Sequence, residues 1–447
     1  MFKKILIANR GEIALRIIRA CKELGIKTVV IHSQVDEDTF ATRNADESIC
    51  VGADPASESY LNMANIISAA QISGADAIHP GYGFLAENSH FAEICETCNI
   101  SFIGPSKEAI LSMGDKARAR EIMDREGVPI VPGSRNVINK VEKAVRIAKK
   151  AGYPLILKAT AGGGGKGMRI VEDEEALRKV FPAAQSEAKR AFSRGGIYIE
   201  KYIENPRHIE YQIMADREGN VLYFPERECS IQRKHQKLIE ESPSPAINSK
   251  VRRRMGRAAV RAAKAINYTT VGTVEFLLDE KDNFYFMEMN TRIQVEHPVS
   301  EMVSGVDLVK EQIRLAAGEK IKLKKIDLFG HAIECRINAE DYKNNFAPVT
   351  GVISCCNLPG GPGIRVDTAI HSGYDIPAYY DSMLAKLIAH GRDRKEARLR
   401  MKRALEEFEL KGIKTTVDFH KKVMENNSFI KGKYSTHFIQ DEFGIKQ

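Results

Sequence analysis

The chain has 447 residues, of which 43% are hydrophobic and 28% are charged. This length predicts about three domains, and the composition is that of a globular protein, which excludes disorder as the main state. The net charge of +8 comes from basic residues spread along the chain, with the densest run at Arg252-Arg253-Arg254. We interpret that run as a solvated helix face and expect small anionic substrates such as phosphates rather than a nucleic acid.

The cysteines and the apolar segments indicate the compartment. Eight cysteines are scattered along the chain, and Cys95-x-x-Cys98 is the single CxxC motif. A four-thiolate zinc site would need a second pair, so we interpret this motif as structural. No apolar run approaches the ~18 residues of a membrane span, and the start is too short for a signal peptide. We expect a soluble cytoplasmic protein with no membrane partner.

The first third of the chain alternates predicted strands and helices. Segments that predict strands lie at 4–8, 28–31 and 75–79. Residues 12–24 have helical spacing of apolar side chains and end before a glycine. This alternation predicts an α/β fold with a doubly wound parallel sheet. The first turn, at residues 9–12, lacks the GxGxxG pattern, so a nicotinamide-binding fold loses its main support.

From about residue 115 the pattern becomes more mixed. Helices are predicted at 115–126, 140–151 and 249–266, strands at 154–159, 168–171 and within 197–224, and a hairpin at 272–290. A lysine-rich linker is predicted at 319–328. The remainder, from 330 to about 425, combines short strands and Gly/Pro turns with a terminal helix pair.

A glycine-rich loop joins two of these strands. Residues 158–168 read Lys-Ala-Thr-Ala-Gly-Gly-Gly-Gly-Lys-Gly-Met. Glycines allow the backbone to approach a ligand closely, and successive N–H groups can converge on phosphate oxygens. The loop is not a Walker A motif, because Gly167 rather than Ser or Thr follows Lys166. A flexible hairpin tip is the alternative.

The hairpin at 272–290 contains two glutamates in otherwise apolar strands. We expect Asp279 to face Phe284 across a four-residue turn. With that register Glu275 and Glu288 lie directly opposite each other, with Cβ atoms about 5 Å apart. A register slip that turns one glutamate to solvent is the alternative.

Two carboxylates at that distance would repel in an apolar sheet. A divalent cation between them removes the conflict, and Asn290 shares the face of Glu288. Two carboxylates and an amide suit Mg²⁺ or Mn²⁺, with ATP phosphates and water completing the shell. The sequence therefore predicts a metal site formed by Glu275, Glu288 and Asn290.

Two further polar segments flank this hairpin. After it, Arg292, Gln294 and Glu296 alternate, so in an extended chain they project to one side. An arginine, an amide and a carboxylate together suit a small planar oxyanion that must lose a proton, whereas we interpret His297 as structural. Before it, residues 226–241 include Gln232, His235 and Lys237. We expect His235 and Lys237 to contact nucleotide or anion, and a basic loop without function is the alternative.

These segments resemble the biotin carboxylase family of the ATP-grasp superfamily, nearly from end to end. The matching segments are IANRGEIALRIIRACKELGI (7–26), HPGYGFLAEN (79–88), FIGPS (102–106), MGDK (113–116), GYPLILKATAGGGGKGMRIV (152–171), EKYIENPRHIE (200–210), ERECSIQRKHQKLIEE (226–241), EMNTRIQVEHPVSEMVSGVDLVKEQ (288–312), GHAIECRINAED (330–341) and YYDSMLAKLI (379–388). The combination is highly specific, although each segment alone is not.

The resemblance implies three domains and a reaction. They are a doubly wound N-terminal domain (1–114), an ATP-grasp domain (115–318) with a mobile lid at about 131–203, and a C-terminal α+β domain (330–447). ATP, Mg²⁺ (or Mn²⁺) and bicarbonate would give carboxyphosphate and ADP, and the carboxyl group would move to biotin on a carrier protein. A Met-Lys-Met biotin-attachment motif does not occur, so we expect a separate carrier.

The resemblance also implies partners. They are a carboxyltransferase subunit, the biotin carboxyl carrier protein and, by analogy, a second copy of the chain in a homodimer. The final acceptor is expected to be acetyl-CoA, with pyruvate next.

The resemblance assigns roles to individual residues. Nucleotide contacts would be Lys116, Lys158, Gly164, Gly165, Met168, Glu200, Lys201, Ile203, His208, Gln232 and His235, with Glu275 and Glu288 reaching ATP through the metal. Lys237, Arg292, Gln294 and Val295 would hold bicarbonate, and Glu296 would deprotonate it. Arg336 would stabilise the enolate-like oxygen of biotin, and Tyr82 would lie near its ring. Catalysis would thus depend on Lys237, Arg292, Glu296 and Arg336.

Two alternatives share part of these features. Another ATP-grasp ligase, such as a carbamoyl-phosphate or purine-pathway enzyme, would have the glycine loop and the metal pair but would not explain HPGYGFL or the Cys-Arg-Ile-Asn-Ala segment. A catalytically inactive nucleotide-binding subunit is disfavoured by the intact Glu275, Glu288, Arg292 and Glu296.

Overall fold

The structure, a computed structural model, describes residues 1–134, 137–159, 168–192 and 197–445. Within these residues a parallel five-stranded sheet, a three-stranded sheet and a nine-stranded antiparallel sheet follow one another along the chain. Helices cover the sheets, so the protein has the α/β fold class that the sequence predicts. None of the described helices is long and apolar enough to cross a lipid bilayer.

The first sheet is the doubly wound sheet expected from the N-terminal pattern. Its strands are β1 (Lys4–Ile7), β2 (Lys27–Ser33), β3 (Glu47–Gly52), β4 (Ala77–His79) and β5 (Ser101–Phe102), and its helices are α1 (Gly11–Glu23), α2 (Phe40–Asn44), α3 (Met63–Ser73), α4 (Ser89–Thr97) and α5 (Lys107–Gly114). The strands are parallel in the order β3-β2-β1-β4-β5. Ile5 and Ile7 pack on the α1 side, whereas Leu6 packs with α3 and α4 on the other side. Both faces of the sheet are therefore covered.

The second sheet belongs to a small unit with its own hydrophobic core. After α6 (Lys116–Arg125), this three-stranded unit consists of α7 (Val141–Ala151), β6 (Leu155–Ala159), β7 (Met168–Val171), α8 (Glu174–Phe192) and β8 (Ile197–Lys201). The strands are antiparallel in the order β7-β6-β8. Leu157 and Ile199 are completely buried against Leu177 and Phe181 of α8. The unit thus lies within the segment expected to form a lid.

The third sheet contains the strands on which most candidate site residues lie. Its central part comprises β9 (Arg207–Ala215), β10 (Val221–Tyr223), β11 (Arg227–Arg233), β12 (Gln236–Ser242), β13 (Thr270–Leu278) and β14 (Phe284–Asn290), with helices α9 (Ser249–Ala265), α10 (His297–Ser304) and α11 (Leu308–Ala316). Its C-terminal part comprises β15 (His331–Asn338), β20 (Ile364–Thr368) and β22 (Met383–Gly391), with helices α12 (Arg394–Glu407), α13 (Val417–Glu425), α14 (Asn427–Ile430) and α15 (Phe438–Phe443). Three separate two-stranded sheets lie in the same part of the chain and pair β16 (Glu340–Asp341) with β17 (Ala347–Pro348), β18 (Gly351–Val352) with β21 (Asp375–Ile376), and β19 (Cys355–Asn357) with β23 (Glu409–Lys411).

One sheet crosses the expected boundary between the central and C-terminal domains. The strand order is β14-β13-β9-β11-β12-β15-β22-β20, and β10 adds to β9. Strand β12 pairs with β15 over four residue pairs. The lysine-rich segment between α11 and β15 contains no helix or strand, as expected for a linker.

Helix α9 covers one face of this sheet. It begins after Asn248, whose side chain accepts hydrogen bonds from two backbone N–H groups of the first turn. Met255 and Ala259, one turn apart, are completely buried against β9 and β13. The helix approaches closely because Gly256 has no side chain; a Cβ there would lie 2.3 Å from the ring of Tyr223.

A buried carboxylate joins the two parts of the large sheet. Glu241 on β12 accepts two hydrogen bonds from Arg394 of α12, at 2.6 and 3.0 Å, and contacts Nε2 of His331 on β15 at 2.6 Å. The Tyr434 hydroxyl donates to the same carboxylate. Burial alone would raise the pKa of Glu241, but Arg394 and His331 hold this pKa well below its ordinary value.

We predict that Glu241→Gln lowers stability at neutral pH by about 3–5 kcal/mol, because it leaves the half-buried Arg394 without its buried carboxylate partner. Since the folded-state pKa is depressed, this stabilisation is complete above the ordinary glutamate pKa of 4.5 and declines as the pH falls below it. Thermal unfolding of both proteins between neutral and acidic pH measures the difference. A difference that grew towards acid would contradict the assignment. Glu425→Gln, an exposed ion-pair partner of Lys402, is the control.

Candidate active site

The two glutamates predicted to face each other do so on β13 and β14. Glu275 pairs directly with Glu288. The predicted register at the turn is wrong, since Leu278 rather than Asp279 faces Phe284. A register shift directly after Glu275 absorbs the difference of one residue, as β-bulges do. Because of this bulge, Glu275 and Glu288 face each other as predicted, although the register at the turn differs from the predicted one.

The carboxylate pair is part of a row across four neighbouring strands. Glu288, Glu275, Glu210 and Arg227 occupy directly adjacent positions on β14, β13, β9 and β11. Like charges on adjacent strands repel each other, and Glu210 and Glu275 are buried. The row therefore requires cations from other positions.

Lys237 on β12 supplies one of these cations. Its Nζ lies 2.5 Å from Glu210, 3.0 Å from Glu275 and 2.6 Å from Glu296. Burial opposes the charged form, but these three carboxylates hold the pKa of Lys237 well above its ordinary value. An ammonium group has three N–H donors, so each carboxylate can take one.

Glu275 has further partners. Its Oε2 lies 2.8 Å from Nε2 of His208, and its Oε1 accepts from Asn290 at 2.7 Å and from Gln294 at 2.6 Å. Burial would raise the pKa of Glu275, but Lys237 and His208 hold it well below the ordinary value. Burial would likewise lower the pKa of His208, which Glu275 raises. Glu275 is therefore an ionised carboxylate at neutral pH.

Glu288 differs from Glu275 in its surroundings. It is half-buried, and burial together with the charge of Glu275 raises its pKa. Among the described residues we find no hydrogen bond to its carboxylate. A divalent cation between the two carboxylates would remove this repulsion, so the residues fit the predicted metal. The amide oxygen of Asn290 now accepts from Arg292 at 2.8 Å and would have to turn to the cation.

Glu296 and Arg336 lie on the other side of Lys237. Arg336 on β15 donates from Nη2 to Glu296 at 2.9 Å and from Nε to Glu240 at 2.7 Å. Burial opposes ionisation of Glu296, but Lys237 and Arg336 hold its pKa well below the ordinary value. Burial raises the pKa of Glu240 to about 7 despite Arg336. The carboxylate of Glu296 thus bridges two cations.

Arg292 contacts the N-terminal part of the chain. Its Nε donates to Glu87 at 3.0 Å. Burial would lower the pKa of Arg292, but Glu87 and Glu296 raise it. Residues 291–296 form bends and a turn instead of the expected extended chain. Arg292, Gln294 and Glu296 nevertheless reach the same cluster.

Tyr82 is connected to this cluster through Glu12 and another buried cation, Lys386. The Tyr82 hydroxyl donates to Glu12 of α1. The completely buried Lys386 of β22 lies 3.1 Å from Glu12 and donates to the carbonyl oxygen of Val295 at 3.0 Å. The N-terminal part, the Val295 loop and the C-terminal part of the sheet therefore meet at one ammonium group.

Several described residues that are expected to contact the nucleotide lie at the end of the three-stranded unit. Glu200 on β8 binds Nζ of Lys158 at 2.5 Å and Nη1 of Arg120 at 2.7 Å. The ammonium of Lys201 donates to the carbonyl oxygen of Tyr153 at 2.5 Å. The side chain of Ile203 is buried. Each of these side chains is thus fixed within the unit or to α6.

Gly164 and Gly165 lie outside the described residues, with the rest of the glycine loop from 160 to 167. The backbone of Met168 pairs with Lys158 at the start of β7. The role of the loop in phosphate binding therefore stays a prediction.

Three other expected nucleotide contacts lie around the cluster. Gln232 is buried and pairs with Lys237 across the β11–β12 hairpin. His235 is exposed in the turn of that hairpin, with φ of +65°. Lys116 is an exposed residue at the start of α6, and its charge lowers the pKa of Glu288. Gln232 thus lies in the wall of the site, and the other two at its margin.

Sequence reasoning missed several charged residues of the cluster. Glu210 lies between apolar neighbours in RHIEYQIMA, and Lys386 lies within the largely apolar strand MLAKLIAHG. A buried charge needs partners, so a charged residue in such a strand is a signal that could have found both. Arg227 and Glu87 lie in segments that resemble the family, but nothing in the residues around them marks either side chain as part of the site.

The arrangement would allow a cation and an anion to bind side by side. Glu275 and Glu288 provide negative charge, whereas Lys237 and Arg336 donate to Glu296 and Arg292 donates to Asn290 and Glu87. A small oxyanion could replace carboxylate oxygens as the partner of these donors. The ionised Glu296 is then a proton acceptor at the edge of the anion site.

Three family models match the chain. They are the biotin carboxylase N-terminal domain over residues 1–110, the ATP-binding domain of the carbamoyl-phosphate synthase L chain over 115–324 and the biotin carboxylase C-terminal domain over 334–441.

Curated relatives and solved structures match over nearly the whole chain. The chain is 57% identical to a biotin carboxylase of Nostoc sp., over 98% of this chain and 99% of the relative. It is 53% identical to a pyruvate carboxylase subunit of Methanothermobacter thermautotrophicus, over 99% and 90%.

The crystal structure of the biotin carboxylase domain dimer of Hydrogenobacter thermophilus 2-oxoglutarate carboxylase is similar to this structure. That domain was crystallised with MgADP, ADP and bicarbonate. It is 52% identical, with a TM-score of 0.92 covering 100% of this chain and 98% of that chain.

We predict that Glu288→Gln weakens Mn²⁺ binding to the nucleotide-free protein by at least about tenfold, because one anionic ligand is lost. Titration followed by the electron paramagnetic resonance signal of free Mn²⁺ measures this affinity. Glu340→Gln is the matched control, since burial also raises the pKa of that carboxyl, which binds Ser382 instead. Unchanged affinity in Glu288→Gln would contradict the metal site.

Proposed function

This chain belongs to the biotin carboxylase family, and on that premise we propose that it carboxylates biotin on a separate carrier protein by way of carboxyphosphate. It is an ATP-dependent ligase whose cofactors are ATP, Mg²⁺ and biotin. The observation that carries the proposal is the Lys237 ammonium held among Glu210, Glu275 and Glu296. We also propose domains at 1–114, 115–318 with a lid at about 131–203, and 330–447.

Bicarbonate would bind where the carboxylates now meet the cations. Lys237, Arg292 and Gln294 would donate to its oxygens, with the backbone at Val295 beside them. All three donors are held by Glu275, Glu296 or Glu87. The site is therefore preorganised, and an anion replaces existing partners rather than ordering new side chains.

Glu296 would take the proton of bicarbonate. Its pKa is held well below the ordinary value by Lys237 and Arg336, so it is ionised but weakly basic. When bicarbonate takes donors from Lys237, that restraint on Glu296 weakens and its basicity rises. The deprotonated oxygen then attacks the γ-phosphorus of ATP, and ADP leaves.

Glu275, Glu288 and Asn290 would hold Mg²⁺, which neutralises charge on the ATP phosphates when bound. Lys116, Lys158, His208, Gln232 and His235 would contact the phosphates or ribose. Glu200, Lys201 and Ile203 would contact the adenine ring, and Gly164, Gly165 and Met168 would cover the nucleotide. The ion pair between Lys158 and Glu200 supports this proposal, because it holds two of the proposed nucleotide contacts next to each other.

Biotin would bind next to Arg336 and Tyr82. Carboxyphosphate would release CO₂, and the phosphate so formed would take the N1′ proton of biotin, whose nitrogen then attacks CO₂. Nε and Nη2 of Arg336 are held by Glu240 and Glu296, and neither carboxylate takes Nη1. That nitrogen would stabilise the negative charge on the ureido oxygen.

For the complete enzyme we propose acetyl-CoA as the final acceptor and pyruvate as the second candidate. We propose a cytoplasmic homodimer whose partners are a carrier protein and a carboxyltransferase subunit. The eight cysteines, all free thiols, support a reducing compartment. Isolation of the biotinylated partner, with the carboxyltransferase bound to it, tests the acceptor.

We predict bicarbonate-dependent release of ADP that free biotin accelerates. An enzyme-coupled ADP assay with and without bicarbonate and biotin measures both effects. ADP release without any response to biotin would contradict biotin as the acceptor. ATP binding without ADP release would favour an inactive nucleotide-binding subunit.

We predict that Arg336→Ala slows biotin carboxylation by about 100-fold or more, because a preorganised donor to a developing oxyanion is lost. Biotin-independent ATP hydrolysis should fall far less. The two rates, measured as carbon-14 incorporation and ADP release, give the comparison. Arg392→Ala, at a highly exposed position, is the control. Equal losses in both reactions would contradict the role of Arg336.

A further inference from the structure

Arg227 is a completely buried arginine beneath the anion site. Its guanidinium donates from Nε to Glu210 at 2.5 Å and from Nη1 to Gln212 and Ser300, both at 2.9 Å. From Nη2 it donates to Thr273 at 2.9 Å and to Gln294 at 2.5 Å. A guanidinium has five N–H donors, and here five acceptors take them. Arg227 therefore has no donor left for a substrate.

The chemistry of Arg227 fixes the orientation of the Gln294 amide. An arginine can only donate hydrogen bonds, so the amide oxygen of Gln294 must face it. The amide nitrogen is then turned to the opposite side, where it donates to Glu275 at 2.6 Å. In the proposed reaction Glu275 binds the metal and no longer fixes the Gln294 amide. Arg227 is then the group that still holds this amide.

An amide turned over at this position would present its oxygen to the anion. Two acceptors facing each other repel, whereas an N–H donor stabilises the anion. The orientation of one side chain thus decides whether Gln294 attracts or repels bicarbonate.

Arg227 also fixes Glu210, which is a partner of Lys237. Arg227 donates to Oε1 of Glu210, and Oε2 of the same carboxylate accepts from Lys237. Burial raises the pKa of Glu210, and Arg227 lowers it. Two groups of the anion site, Gln294 and Lys237, therefore depend on this one guanidinium.

We propose that Arg227 is a positioning residue that turns the amide N–H of Gln294 towards bicarbonate and so sets the affinity of the anion site. The proposal rests on the proposed function, because it assigns bicarbonate to this site. Arg227 acts through Gln294 and contacts no reacting atom.

The test compares Michaelis constants in Arg227→Lys, which keeps the charge but not the planar donor set. We expect the bicarbonate KM to rise about tenfold, the loss of one hydrogen bond to a charged group. The ATP KM should stay within about twofold. Arg252→Lys is the matched control, since Arg252 also holds a buried carboxylate, Glu226, outside the cluster. An unchanged bicarbonate KM, or equal changes in both constants, would overturn the proposal.

A double-mutant cycle separates positioning from general destabilisation. If Arg227 acts through Gln294, then Arg227→Lys should raise the bicarbonate KM by less than about twofold in the Gln294→Ala background. Independent, additive effects would overturn the proposal. Should the wild-type protein show no bicarbonate-dependent ADP release, the proposed function fails, which is a different outcome.

A second variant covers the case in which Arg227→Lys does not fold. Thr273→Val keeps the shape of the side chain and removes the other acceptor of Nη2. The guanidinium is then less firmly held, and we expect a rise of about threefold in the bicarbonate KM with an unchanged ATP KM. No rise in a folded Thr273→Val protein would overturn the proposal.

Discussion

The contact of the Lys237 ammonium with three buried carboxylates is the interaction on which the site depends. Without that cation, Glu210, Glu275 and Glu296 would repel one another in a sheet interior, where charges are costly. Because Glu275 belongs to the proposed cation site and Glu296 to the proposed anion site, the two proposed sites share one ammonium. Metal binding at Glu275 would release a donor of Lys237 and so favour anion binding after the metal.

The sequence predicted the elements and the chemistry of single strands better than it predicted contacts between strands. The alternation of strands and helices before residue 115 identified the parallel sheet, and the hairpin pattern identified the pair of Glu275 and Glu288. The bulge after Glu275 was not predictable, because nothing in the residue pattern specifies an extra residue in β14.

The row of charges was missed for a related reason. Glu210 and Arg227 become neighbours of Glu275 only once the order β13-β9-β11 is known. Glu87 lies more than two hundred residues before its partner Arg292, so no local pattern links them. The resemblance supplied the proposed roles of single residues, whereas Glu210 and Glu87, which hold Lys237 and Arg292, emerged from the structure.

The pairing of β12 with β15 has a mechanical consequence. Lys237 and Arg336 lie on these two strands, joined by a continuous ladder of backbone hydrogen bonds, so the distance between the two functional groups is set by a rigid frame. The three-stranded unit has a separate core, so a hinge motion of the proposed lid would leave the large sheet intact. Nucleotide entry would then involve motion, while the proposed acid–base and biotin groups stay in fixed alignment.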